Sequence, residues 1–392
     1  VYIVKNAHIV TADDMLDAHD LVIENDTIQA IQPTGENYSE SAMLIDAQGR
    51  LLTPGFIDIH SDYIEHMAAP RPSSLIDFHL ALRETERELI THGITTMFHS
   101  LSIIKSTEFP EKPIRNAANT QQFVSLIDQS HHTPHQIRHR FHARFEIDSL
   151  DRIDELTAYI ENNQVHLISF MDHTPGQGQY RDLENYKATL KGYRKVSDTE
   201  IEAIIQHSQN RPKMTLEMIE QLCRLAQKKG IAIASHDDDS ADKLETIRSF
   251  GATISEFPLT LEVAREARKK GLHTLAGAPN VLLGGSHNGN LSAAEAIHDG
   301  CMDMLCSDYY PAAMLHSIFK LHAESGKPLH ELFRLITLNP AKAVNLSDQL
   351  GSIEIGKKAD LLLIDRLDNI MPVITHAFVD GIPVYQANYR RA

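Results

Sequence analysis

Hydrophobic positions change their rhythm twice along the 392 residues of the chain. Over the first 53 residues they come in short runs, at 2–4, 8–10, 21–24, 27–31 and 43–45, broken by turn formers such as Glu24-Asn25-Asp26 and Pro33-Thr34-Gly35. The last 40 residues are alike, with runs at 359–365 and 376–380 around glycine-containing turns. Neither end has enough strands for a stable sheet of its own. The two are therefore expected to pair into one small β domain, residues 1–53 plus 350–392.

Residues 54–349 follow another pattern. Eight short apolar runs, at 56–60, 95–98, 142–147, 165–171, 231–235, 253–257, 273–276 and 304–307, alternate with helical stretches. Among the latter are 77–92, 213–229 and 261–270, the last two closed by Gly230 and Gly271. Eight strand–helix units predict an α/β fold, a (β/α)₈ TIM-like barrel carrying the small β domain built from both termini. A doubly wound open sheet is the competing architecture. The polar stretch 174–215 reads as an insertion after the fourth strand, where a lid would sit.

Composition narrows the function. Lys and Arg number 37 against 53 Asp and Glu, a net charge of −16, which argues against a general nucleic-acid binder or a basic membrane-surface protein. A polyanionic small-molecule substrate would need a local positive site. Three cysteines, Cys223, Cys301 and Cys306, without CxxC spacing, fit a reducing compartment and no disulfide framework. No apolar run reaches the roughly 18 residues of a membrane span. The expectation is a cytoplasmic globular protein, with a homo-oligomer compatible. Histidine is abundant, 23 in all, and its placement carries more than its number.

In a barrel of this kind the active site lies at the C-terminal ends of the strands. The first run ends in His60-Ser61-Asp62, where the spacing of two on an extended segment aims both side chains the same way. Asp58 faces with them one step deeper, a supporting group. The third reads His142-Ala143-Arg144-Phe145-Glu146, with Arg144 and Glu146 on one face, a metal ligand steadied by a guanidinium or a structural ion pair. The fourth ends at Asp172-His173, the fifth at His236-Asp237-Asp238-Asp239 and the eighth at Asp308-Tyr309-Tyr310. After the seventh come Gly277-Ala278-Pro279-Asn280 and the Gly284-Gly285-Ser286-His287 loop, whose backbone N–H groups and His287 could meet an anion.

Together His60, Asp62, Glu146, His173, His236 and Asp308 make a metal-ligand set. Its mixed imidazole and carboxylate chemistry suits Zn²⁺, Mn²⁺ or Fe²⁺. Six ligands exceed one tetrahedral ion, so two divalent ions about 3.5–4 Å apart, bridged by Glu146 and a hydroxide, are expected. One ion, with the remaining groups serving as acid and base, is the other arrangement. The remaining histidines read as bystanders. His135 and His139 have chelating i,i+4 spacing, but a solvated helix face is the expectation there. His79, His92, His131 and His132, and the terminal His8, His19 and His376, are likewise set aside.

With a β domain from both termini, Leu52-Thr53-Pro54-Gly55-Phe56-Ile57-Asp58-Ile59-His60 leading into the first strand and an Asp closing the eighth, the chain resembles the amidohydrolase superfamily. Further strings are Pro70-Arg71-Pro72, Met171-Asp172-His173-Thr174-Pro175-Gly176-Gln177, Ser235-His236-Asp237-Asp238 and Ser307-Asp308-Tyr309-Tyr310-Pro311. With the two glycine-containing strings they resemble the branch that serves bacterial phosphonate use through the carbon–phosphorus lyase pathway. The wider superfamily usually has HxH on the first strand and often a modified Lys as bridge, whereas here Asp62 and Glu146 stand in those roles.

The resemblance implies metal-dependent hydrolysis of the triphosphate anhydride of a phosphorylated sugar, releasing diphosphate. On that reading Asp308 accepts the proton of the attacking water. Arg71 is a candidate triphosphate clamp, and Lys187, Lys191, His287 and Asn280 are further substrate-binding candidates. A C–N hydrolase or deaminase on a small cyclic or N-acyl substrate would use the same metal ligands. A non-catalytic scaffold is argued against by the full ligand set.

Overall fold

In the computed structural model, which describes residues 1–71, 74–105, 113–176, 183–193, 197–285 and 291–390, the two ends of the chain share one sheet. The first part supplies β1 (Tyr2–Val10), β2 (Met15–Glu24), β3 (Thr27–Pro33), β4 (Met43–Asp46) and β5 (Leu51–Pro54). The central part supplies β6 (Phe56–Ser61), β7 (Ile94–Ile103), β8 (Arg138–Glu146) and β9 (Leu167–Met171). It continues with β10 (Ala232–His236), β11 (Ile254–Glu256), β12 (His273–Gly277) and β13 (Met304–Cys306). The last part adds β14 (Leu361–Leu367), β15 (Met371–Val379) and β16 (Ile382–Gln386).

The terminal sheet runs β16-β15-β14-β5-β1-β2-β3, with β4 beside β1. The joint between the ends is β5 against β14, antiparallel, with Leu361 opposite Pro54. The runs at 2–4 and 8–10 are one strand, not two. A register shift between Val4 and Ala7 leaves Asn6 at φ 53°, and its N–H donates to Asp20 Oδ1 at 2.8 Å. Gly381, at φ 72°, is the tightest contact of the joint, since a Cβ there would lie 2.1 Å from the Asn25 carbonyl oxygen.

Strands β6 to β13 lie side by side in chain order and all parallel, as a barrel and not a doubly wound sheet requires. β6 and β7 are buried along their whole length, polar side chains such as Asp58, His60, Thr96 and His99 included. The backbone bridge across the seam between β6 and β13 is made by Asp308: its N–H donates to the His60 carbonyl at 3.1 Å, and its own carbonyl accepts from Asp62 N–H at 2.9 Å. Asp308 holds φ 57° in doing so.

Helices start where a side chain caps them. The 77–92 expectation becomes Phe78–Thr91, with Asp77 accepting from Leu80 N–H at 2.9 Å. The 213–229 expectation shortens to Leu216–Lys228, because Thr215 caps the helix and Lys213 instead reaches Asp172 at 2.8 Å. Within the insertion, Leu183–Tyr193 and Asp198–Gln209 are helical.

One sequence expectation is overturned here. The helix before β8 ends at Ser130, and β8 begins at Arg138, earlier than its apolar run suggests. His139 therefore lies inside the barrel wall, fully buried, and His135 lies in the preceding loop with 9% of its side chain exposed. Neither is on a solvated helix face. Both contact Glu86 of the Phe78–Thr91 helix.

Candidate metal centre

The strand ends gather a set of ligand atoms that protein partners leave only partly used. His60, at the end of β6, is 2% exposed, and its Nδ1 lies 3.0 Å from Glu256 Oε1 at the end of β11. His236, ending β10, turns its ring to within 5.6 Å of the His60 ring, centre to centre. The coordinating atoms of His60, His236 and Glu256 all lie within 4.8 Å of one another. His236 Nδ1 pairs with Asp237 Oδ2 at 3.0 Å, while His236 Nε2 and Glu256 Oε2 are buried with no hydrogen-bond partner among the described residues. Buried polar atoms are rarely left so, and two of them within reach of the His60 imidazole mark a place for a cation.

A second group shares His236. The ligand atoms of His173, after β9, and of Asp237 fall within the same 4.8 Å span of His236 and each other. His173 Nδ1 is hydrogen-bonded to Glu146 Oε1 at the end of β8. Burial works against ionisation of Asp237, but His236 and His173 outweigh it and hold the carboxyl at about 2. Burial, with Arg144 and His236 adding to it, drives the His60 imidazole well below its ordinary range, so it is neutral and able to ligate.

A supporting layer lies beneath. His142 faces inward with Nε2 at 2.8 Å from Ser169 Oγ and Nδ1 at 3.1 Å from the Ile59 carbonyl, and burial lowers it to about 3. Asp58 accepts from the backbone N–H groups of His60 at 3.3 Å and Ser307 at 3.2 Å, strapping β6 to β13 under the site. Burial pushes Asp58 up to about 7 despite those bonds.

Above the donors opens a cleft of ≈ 240 Å³. His60, His236, Asp237, Arg144, Asp308 and Asn280 all contribute to its lining. Arg144 is not bonded to Glu146 as the sequence suggests; its Nε donates to Met171 Sδ at 3.3 Å while Glu146 holds His173. Asn280 uses both ends of its amide on backbone, donating to the Leu291 carbonyl at 3.0 Å and accepting from Ala293 N–H at 2.9 Å. It shapes the cleft wall.

Asp62 does not enter either donor group. It sits at the head of the Tyr63–Ala68 helix with Oδ2 3.8 Å from Arg115, which Glu65 grips through two hydrogen bonds of 2.9 and 3.0 Å. Arg71 is exposed, its carbonyl accepts from Ser74 N–H, and it is not among the described residues lining the cleft. Lys187 and Lys191 line a separate surface pocket, paired with Glu184 at 2.8 Å and Asp198 at 2.6 Å. His287 lies outside the described residues. The sequence reading passed over Glu256, Asp237 and Arg115. Glu256 had a usable signal, a carboxylate inside the strand run 253–257.

A barrel closed at an Asp, mixed imidazole and carboxylate donors at its strand ends and a sheet from both termini define one class. Residues 51–385 match the amidohydrolase family, and the chain belongs to it. It is a hydrolase. Within the family it is similar to α-D-ribose 1-methylphosphonate 5-triphosphate diphosphatase of Escherichia coli strain K12, 31% identical over 98% of this chain and 100% of the relative. It is also similar to an imidazolonepropionase of Fusobacterium nucleatum, at 24% identity over 88% of this chain and 84% of that one. Among solved structures, a Xaa-Pro dipeptidase with bound methionine shares the fold with a TM-score of 0.67 at 13% identity, covering 98% of this chain and all of that one.

Proposed function

We propose that the protein hydrolyses α-D-ribose 1-methylphosphonate 5-triphosphate to the 5-phosphate and diphosphate. The observation that carries this choice among amidohydrolase chemistries is Arg144. It is a guanidinium lining the cleft, whose hydrogen bond among the described residues goes to a thioether and not to a carboxylate. A neutral amide has no use for such a cation, whereas a triphosphate chain does. The similarity over the full length of the E. coli diphosphatase supports the same substrate.

His236 Nε2 and Glu256 Oε2, without partners among the described residues, fit a divalent ion, zinc, manganese or iron. His60, His236 and Glu256 would hold one, and His173 and Asp237, backed by Glu146, stand beside them as donors for a second. When bound, such ions make water a nucleophile near neutral pH and offset phosphate charge. The chain's own groups do the rest. Arg144 binds phosphate oxygens and fixes the chain over the donors. Asp308, held rigidly by its backbone bonds to His60 and Asp62, accepts the proton of the water that adds to phosphorus, and diphosphate departs as the anhydride bond breaks. The buried, unpaired thiols agree with action in the reducing cytoplasm.

Phosphorus NMR of the triphosphate with metal-loaded protein tests this directly. Wild type should release diphosphate and Asp308→Asn should not. An unchanged triphosphate with metal demonstrably bound would sink the reading and turn attention to cyclic amides, the chemistry nearer the imidazolonepropionase relative.

A further inference from the structure

A second cluster of ligating side chains lies away from the cleft, at the opposite, N-terminal end of the barrel strands. We propose that Glu86, His135 and His139 form a structural zinc site that pins the Phe78–Thr91 helix to the start of β8. Glu86 Oε2 lies 2.8 Å from His135 Nδ1 and 3.1 Å from His139 Nε2. All three ligand atoms fall within 4.8 Å of each other. A tetrahedral zinc with bonds of 2.0–2.1 Å separates its donors by about 3.3 Å, so the two Glu86–histidine separations need open by only a few tenths of an ångström.

The surroundings have the order expected of a zinc site. His139 Nδ1 lies 2.8 Å from His99 Nε2, so with Nε2 on a metal it can donate its remaining N–H to His99, the orienting contact that ligating imidazoles use. His99 and His139 are both buried, 1% exposed, so the pair is held in place by its packing. Gln136 N–H also donates to Glu86 Oε2, at 3.1 Å, fixing the carboxylate from the loop side. Three protein ligands leave a fourth position for water, and the 9% exposure of His135 gives an entry path.

Arg83 is the group that opposes the ion. Its Nη1 lies 3.2 Å from Glu86 Oε1 and donates to the Pro134 carbonyl, and its side chain is 32% exposed. It can swing to solvent when a metal arrives. Its removal should therefore strengthen zinc binding, whereas a purely hydrogen-bonded cluster would only lose a partner.

The test uses metal-stripped full-length protein reloaded with zinc, with bound metal counted by atomic emission. The count is made in wild type and in a His236→Asn background that impairs the cleft. His135→Asn should remove one zinc equivalent per chain in both backgrounds without changing the circular dichroism spectrum, and turnover in the otherwise wild-type protein should be retained. Glu86→Gln, which keeps volume and an acceptor, should weaken zinc binding at least tenfold, and Arg83→Met should strengthen it. Cobalt in the His236→Asn protein should give the intense visible bands of a tetrahedral ion, lost with His135→Asn. An unchanged zinc count in folded His135→Asn and Glu86→Gln proteins would overturn the proposal. Because the count is independent of turnover, this outcome is separate from the fate of the diphosphatase reading.

Discussion

At the scale of single residues, the centre rests on charges held where charge is costly. Glu256 is fully buried with one oxygen unpaired, an arrangement that weakens the metal-free protein and strengthens binding of a cation. Glu256→Gln should therefore act in opposite directions: metal affinity falls by at least tenfold, while the melting temperature of the metal-free form does not fall. Equilibrium dialysis and calorimetry on the same samples check both. Arg144→Met should leave metal content intact and lower kcat/KM for the triphosphate about 100-fold, or about 2.7 kcal/mol, the loss of a charge-assisted clamp. Equal turnover in mutant and wild type would remove Arg144 from substrate binding. His60 and His236 were legible in the sequence because each ends an apolar run. Glu256 was harder to see because the eye takes a lone carboxylate in a strand for a solvent-facing position. Asp62 stands apart from the two donor groups because alternation holds only while the strand lasts, and β6 ends at Ser61.

At the scale of elements, the barrel and the terminal sheet are joined through the first residue of β8. Arg138 reaches Asp360 at 3.0 Å and is also bonded to Asp380, while Lys358 meets Asp380 at 2.6 Å. Burial opposes ionisation of Asp380, but Arg138 and Lys358 outweigh it, and its pKa is lowered. Since the folded value lies below the unfolded one, the stabilisation is complete above the ordinary carboxylate range and fades as pH falls through the folded value. Arg138→Met should cost about 3 kcal/mol at neutral pH and flatten the acid limb of the stability curve, read by denaturant titration between pH 3 and 7. Gly381→Ala should cost about 1–3 kcal/mol, from left-handed backbone strain and the clash with Asn25. Strand–helix alternation made the eight barrel strands readable. The start of β8 was not, because Arg138, His139 and Arg140 are polar residues whose partners, Asp360 and Glu86, are distant in sequence.

At the scale of the whole molecule, the pairing of β5 with β14 sets a timetable for synthesis. β5 is complete at Pro54 and its partner begins at Leu361, so roughly 300 residues must leave the ribosome before the terminal sheet can close. At about 5–20 residues per second that is a wait of about 15–60 s with the edge of β5 open to wrong partners. Nascent chains arrested before Leu361 should show a protease-sensitive N-terminal segment, and chains arrested after β16 has emerged a protected one. The wait covers the candidate metal centre too, because Asp308 is made long after His60. A cell making this enzyme must therefore shelter an unfinished edge and an unfinished site for the same interval, and chaperone supply, more than intrinsic stability, should set its yield.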